Sequence, residues 1–249
     1  VFKSKAMGKN IIQYFNTPVL EEFLRTAELE SKLKEAVFNH SFQMYYQPQY
    51  FADSKKLRGM EALIRWKDGD DHMISPAVFI PIAEKNGAII PIGQWVVEQS
   101  IMQYALWRQR YGYPFIMSIN ISALQYSRED FVDSVIKVIQ KYGVTPSEIE
   151  LEITETILIE DFQAVYDKLK LLRDYGIRIS LDDFGTGFSS LSYLKKLPID
   201  TLKIDKSFID TVLGDSATKV ITEAIINMVK ALGFESVAEG VEDEKQYEY

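Results

Sequence analysis

From Gln43 onward the 249-residue chain alternates short β-type runs with longer amphipathic stretches, and this alternation limits the fold more than any other feature. Residues 44–51 and 57–66 read as strands joined by the polar turn Asp53-Ser54-Lys55-Lys56. Helical patterns follow at 76–86 and 92–110, then strand 115–119, helix 128–142 and strand 148–153. Helix 162–175, strand 177–181, helix 189–196, strand 201–204, helix 216–232 and strand 236–238 complete the run, with a further helix opening at Asp243. Strands alternating with helices demand a mainly parallel sheet, because each crossover returns the chain to the same sheet edge. The fold class is α/β, as an open doubly wound sheet or a (β/α) barrel. No GxGxxG follows the first strand, which disfavours a dinucleotide-binding fold.

The ends of the strands separate these two architectures. Glu61 lies in the second strand, Asn120 after the third, Glu152 and Glu155 at the fourth, Asp182 and Asp183 at the fifth, Lys203 in the sixth and Glu239 at the seventh. In a barrel, carboxyl-terminal strand ends converge on one face; in an open sheet they spread along an edge of more than about 20 Å. Charged groups inside apolar runs such as Leu202-Lys203-Ile204 need partners or a cation. Taken singly, several have plainer uses: Asp182-Asp183 as a helix cap, Asn120 as a cap for the 122–126 turn, Glu155 as a capping residue. All eight together favour one convergent site.

Composition sets the chemistry that such a site can use. Cysteine is absent and only His40 and His72 occur, so thiolate zinc sites and disulfides are excluded and a metal centre must be built from oxygen. Oxygen ligands suit Mg²⁺ or Mn²⁺. The net charge is 28 − 36 = −8 without a basic stripe, which argues against duplex nucleic acid as a partner. No apolar run reaches the roughly 18–20 residues of a membrane span and no signal peptide is visible, so no membrane contact is expected from this segment. The expected location is cytoplasmic, with any membrane attachment supplied by upstream regions.

Seven ordered blocks resemble those of EAL domains. They are Tyr45-Tyr46-Gln47-Pro48, Glu61-Ala62-Leu63-Ile64-Arg65-Trp66, Ser118-Ile119-Asn120-Ile121-Ser122, Leu151-Glu152-Ile153-Thr154-Glu155, Asp182 to Leu191, Leu202-Lys203-Ile204-Asp205 and Ala238-Glu239-Gly240-Val241-Glu242. The resemblance implies a TIM-like (β/α)8 barrel with an antiparallel first strand and hydrolysis of cyclic di-GMP to linear pGpG. A catalytically silent cyclic di-GMP receptor is the alternative, and a scaffold acting through the amino-terminal helix and a dimer face is a third. The resemblance further implies Glu61, Asn120, Glu152, Asp182 and Asp183 as ligands of two Mg²⁺ or Mn²⁺ ions, with Asp182 bridging. Lys203, Glu239 and Glu155 are implied as catalytic groups, Glu239 at the second metal and Glu155 steadying the loop after Asp183. Gln47, Leu63, Arg65, Ser189 and Glu242 are implied as substrate-binding.

The expected organisation is a tail at 1–17, a connecting helix at 18–40 and the EAL domain at 41–249. Residues 2–10 are similar to the end of a GGDEF domain, so an upstream GGDEF domain in cis and a homodimer are the expected protein partners. The family's last strand and its Gln-Gly-Tyr block fall about 20 residues past Glu242, so the expected barrel is carboxyl-terminally incomplete, with two unpaired edges.

Overall fold

The computed structural model describes residues 17–39, 41–68, 72–159, 162–185 and 194–249. Residues 2–10, Ser189 and most of the expected helix 189–196 lie outside them. Helix α1 (Thr17–Asn39) leads into an antiparallel hairpin of β1 (Phe42–Tyr50) and β2 (Leu57–Asp68), paired from Phe42↔Trp66 to Tyr50↔Leu57. A short strand β3 (His72–Ile74) folds back on β2. Then come α2 (Pro76–Asn86), α3 (Ile89–Tyr111), β4 (Ile116–Ile121), α4 (Ala123–Ser127), α5 (Phe131–Tyr142), β5 (Ile149–Thr154), α6 (Phe162–Asp174) and β6 (Arg178–Phe184). The chain continues through β7 (Thr201–Ile204), α7 (Lys206–Thr211), α8 (Ser216–Leu232), β8 (Glu235–Ala238) and α9 (Glu244–Glu248). Neither β3 nor α7 has a periodic signal long enough to be seen in the sequence.

The sheet runs β1-β2-β4-β5-β6-β7-β8, and every pair from β2–β4 to β7–β8 is parallel. Its curvature settles the choice between open sheet and barrel. Lys203 on β7 stands four strands from β2, yet its Nζ is 3.5 Å from Glu61 Oε2. Arg58 on β2 and Glu235 on β8 are five strands apart and meet at 3.0 Å. Along a flat sheet these separations would be about 19 Å and 24 Å. The sheet is therefore curled around an interior, and among the described residues β1 and β8 form its two ends.

Alternation assigns the two faces. Ile119, Ile121, Leu151, Ile153, Ile179, Leu181 and Leu202 point outward and are buried beneath the helices. Trp66 and Phe79 stack edge to face on this outer side at 5.6 Å. Alternate residues point into the curl, and these are polar: Ser118 and Asn120, Glu150 and Glu152, Ser180 and Asp182, Thr201 and Lys203. Helix α1 docks through its carboxyl half, where Leu33 and Ala36 are buried and Lys32 reaches Asp68 at 2.8 Å. Leu20, Phe23 and Leu24, in the amino half of the same helix, are exposed.

Candidate active site

The interior is built in two layers, one strand repeat apart. The lower layer lies toward the amino ends of the strands. Arg58, 6% exposed, forks onto Glu150 with Nη1–Oε1 at 3.1 Å and Nη2–Oε2 at 3.0 Å. Glu150 also accepts from Ser118 Oγ at 2.9 Å and Thr201 Oγ1 at 2.6 Å. Arg178 closes the group through Glu235 at 2.8 Å. Burial pushes the Glu150 carboxyl up, but Arg58 and the two hydroxyls outweigh it and hold the group below the ordinary carboxylate range. Two arginines face two glutamates, so this layer is neutral by itself.

The upper layer is not balanced. Lys203 Nζ sits among Glu239 Oε1 at 2.7 Å, Glu152 Oε2 at 2.8 Å, Asp182 Oδ2 at 3.0 Å and Glu61 Oε2 at 3.5 Å. Asn120 Nδ2 donates to Glu61 Oε1 at 2.9 Å. With Asp183 beside them, five carboxylates gather about one ammonium among the described residues, so acidic groups outnumber cations there. Burial and the repulsion of Glu61 and Asp182 push Glu152 well up. Asp183 is raised by burial and by Asp182, and Glu239 by burial and Asp182. Burial works to lower Lys203, but the surrounding carboxylates override it and the group is strongly raised.

Adjacent strand residues normally point to opposite faces, so Asp182 and Asp183 should diverge. Two irregularities bring them together. Asp183 takes φ +55°, and the β6–β7 register slips between Leu181 and Phe184. Aspartate is among the few non-glycine residues that tolerate this region, at about 1–3 kcal/mol of strain. As a result, oxygens of Asp182, Asp183 and Glu239 all lie within 4.8 Å of one another. Glu152 Oε1 is fully buried and has no hydrogen-bond partner among the described residues. An all-oxygen donor set, excess negative charge and an orphaned buried carboxylate oxygen fit hard divalent cations.

The second row of residues is more dispersed. Glu155, 7% exposed, accepts the Gly185 N–H at 3.2 Å, at the first residue of the loop after β6. Gly185 must be glycine: its φ is +97° and a Cβ would lie 2.8 Å from the Phe208 ring. Gln47 stands opposite Glu61 in the hairpin register, and Leu63 and Arg65 follow Glu61 on the same face. Arg65 Nη1 donates to the Ile64 carbonyl at 2.9 Å and its guanidinium lies 5.7 Å from the Tyr45 ring centre. Glu242 is apart from the carboxylate group and pairs with Lys206. The sequence reasoning missed the whole lower layer, although Glu150 stands two residues before Glu152 on an alternating strand and so faces the same interior.

The EAL domain family model matches residues 30–249. The chain belongs to the EAL domain family. Among its relatives, the oxygen sensor protein DosP of Escherichia coli K12 is 38% identical over 241 residues, covering 97% of this chain and 30% of DosP. The bifunctional diguanylate cyclase/cyclic di-GMP phosphodiesterase MucR of Pseudomonas aeruginosa is 36% identical over 249 residues, covering all of this chain and 36% of MucR. The solved PaMucR phosphodiesterase in complex with c-di-GMP superposes with a TM-score of 0.85 at 39% identity, covering 89% of this chain and 90% of that chain. This EAL domain thus spans about a third of the length of these curated relatives. EAL structures are TIM-like barrels, and the curled mixed sheet here is that architecture. No helix among the described residues is long and apolar enough to cross a membrane.

Proposed function

We propose that this EAL domain hydrolyses cyclic di-GMP to linear pGpG, using two Mg²⁺ or Mn²⁺ ions. The carrying observation is the upper layer: among the described residues, five carboxylates and Asn120 gather around one lysine, an acid-rich oxygen donor set that divalent cations would balance. The relatives MucR and PA2567 of Pseudomonas aeruginosa are both named as cyclic di-GMP phosphodiesterases, which supports the substrate. Glu61, Asn120, Glu152 and Asp182 would hold one ion, and Asp182, Asp183 and Glu239 the other. Bound ions would lower the pKa of coordinated water and neutralise phosphate charge.

The remaining side chains bind, orient and steady. Lys203 supplies a fixed positive charge where the attacking oxygen and the phosphate meet. Arg65 would clamp phosphate, and Gln47 and Glu242 would read guanine edges, with Leu63 and Ser189 lining the dinucleotide. Glu155 pins the start of the loop after β6 and so fixes the geometry of Asp182 and Asp183. In the reaction one phosphorus–O3′ bond breaks, a water oxygen replaces it on phosphorus, and a proton ends on the freed 3′ oxygen. The same proposal has residues 1–17 as the tail of an upstream GGDEF domain, 18–40 as a connecting helix and 41–249 as the catalytic unit. It includes a cytoplasmic homodimer, as the family resemblance implies; MucR's bifunctional name supports a GGDEF partner in cis.

The test is to incubate the full-length protein with cyclic di-GMP and Mg²⁺ or Mn²⁺ and to follow pGpG. Glu61→Ala should abolish turnover while the fold persists. Binding of the dinucleotide without product under either metal would instead identify a receptor.

A further inference from the structure

The turn that carries Glu239 and Glu242 rests on the segment after β7. Gly240 has φ +72°, and a Cβ there would lie 2.9 Å from Lys206 Cδ and 3.0 Å from its Cβ. The backbone of the turn therefore lies directly on the aliphatic stem of Lys206. The ammonium at the end of that stem pairs with Glu242 Oε1 and lies 3.3 Å from Asp210 Oδ1. Three residues earlier, the Lys203 ammonium meets Glu239. Two lysines three apart on one segment thus grip two glutamates three apart on the other.

The far side of the turn is tied to the same support. Gln246 Oε1 accepts the Glu242 N–H at 2.7 Å and the Asp243 N–H at 3.1 Å, while Nε2 donates to the Ile209 carbonyl on α7 at 3.3 Å. Asp205 in turn caps α7, accepting the Ser207 N–H at 3.0 Å, which fixes where Lys206 begins. Glu242 itself is exposed, and Lys206 is the cation that the described residues place on it.

We propose that Lys206 is a positioning residue with two parts: its stem sets the height of Glu239, and its ammonium aims the Glu242 carboxylate at the guanine edge of the dinucleotide. The proposal rests on the hydrolase assignment and adds to it a determinant of base selectivity. A carboxylate can accept from both N1–H and the 2-amino group of guanine; hypoxanthine lacks the amino group and forfeits one of those bonds. Aim, more than charge, decides how well the two bases are told apart.

The experiment compares kcat and KM for cyclic di-GMP and cyclic di-IMP in wild type, Lys206→Met and Lys206→Ala. Methionine keeps the stem and removes the ammonium. It should raise KM for cyclic di-GMP more than it changes kcat, and shrink the preference for guanine by up to about five-fold, the upper range for an exposed ion pair. Alanine also removes the stem, so kcat should fall further as Glu239 shifts. A merely structural role would lower both substrates equally, and an unchanged guanine preference in Lys206→Met overturns the proposal. Dissociation constants of both dinucleotides in EDTA give the same ratio without turnover. A wild type that binds but does not cleave therefore sinks the hydrolase assignment alone, while one that neither binds nor, with metal, cleaves either dinucleotide overturns both.

Discussion

Replacing Lys203 with methionine removes the one cation that the described residues place in the upper layer, while nearly conserving its volume. Lys203 is 1% exposed, and its ammonium has three carboxylate oxygens within 3.0 Å and a fourth at 3.5 Å. Breaking a buried ion pair from one side typically costs about 3–5 kcal/mol. A second route gives a similar figure. The simplest relaxation open to the variant is to protonate one carboxylate for the lost positive charge. For a group of ordinary pKa near 4.3 this costs about 3.7 kcal/mol at pH 7 and about 1 kcal/mol at pH 5, and less for Glu152, Asp183 and Glu239, whose carboxyls are already raised. At about 2–4 °C per kcal/mol for a chain of this size, the metal-free variant should melt below wild type by up to about 15 °C at pH 7. The gap should close to a few degrees at pH 5. Thermal unfolding in EDTA at both pH values measures it, followed by circular dichroism. A gap equal at pH 5 and pH 7, or no gap at pH 7, would refute the view that Lys203 balances buried carboxylates.

Two further outcomes follow from the same layers. In metal-free wild type, Glu152, Asp183 and Glu239 are raised in the folded state, so the folded chain holds protons that the unfolded chain has released. Stability should then fall as pH climbs above the ordinary carboxylate range, and Mn²⁺ should raise the melting temperature more at pH 8 than at pH 5.5; a metal shift independent of pH would contradict this. In the lower layer, Glu150→Gln leaves Arg58 buried against a neutral amide and should destabilise by about 3–5 kcal/mol in denaturant titrations. The paired change Arg58→Met with Glu150→Gln should recover part of that loss, and a double variant as unstable as the sum of the singles would show that the two side chains do not interact.

How much of this could be read from the sequence depended on regularity. Lys203 and Glu61 were legible because a charge inside a short apolar run has few other uses, and alternation fixes which way it points. The hairpin was legible from the short turn at 53–56, too brief for a parallel crossover. The meeting of Asp182 and Asp183 was visible only as adjacency, since regular strand geometry would separate them; the positive φ at Asp183 and the register slip that reunite them leave no mark in composition. Glu150 was passed over because Ser118 and Thr201, its hydroxyl partners, carry no charge signal, and Arg58 lies 92 residues away. For Glu242 the resemblance supplied a ligand-facing role, while its grip on Lys206 depends on how two short turns are stacked. The exposed Leu20, Phe23 and Leu24 show the converse limit: a helix can be expected at 18–40 from the sequence without its pattern saying which apolar residues find a partner.

The neutral lower layer has a consequence for how such a domain lives in a cell. Its Arg58–Glu150–Arg178–Glu235 group closes the base of the barrel with the chain's own charges, so this end of the interior has no call on an ion for its charge balance. A change in divalent-cation supply would then be felt first at the open, acidic end of the barrel, while its base keeps the same ion pairs throughout.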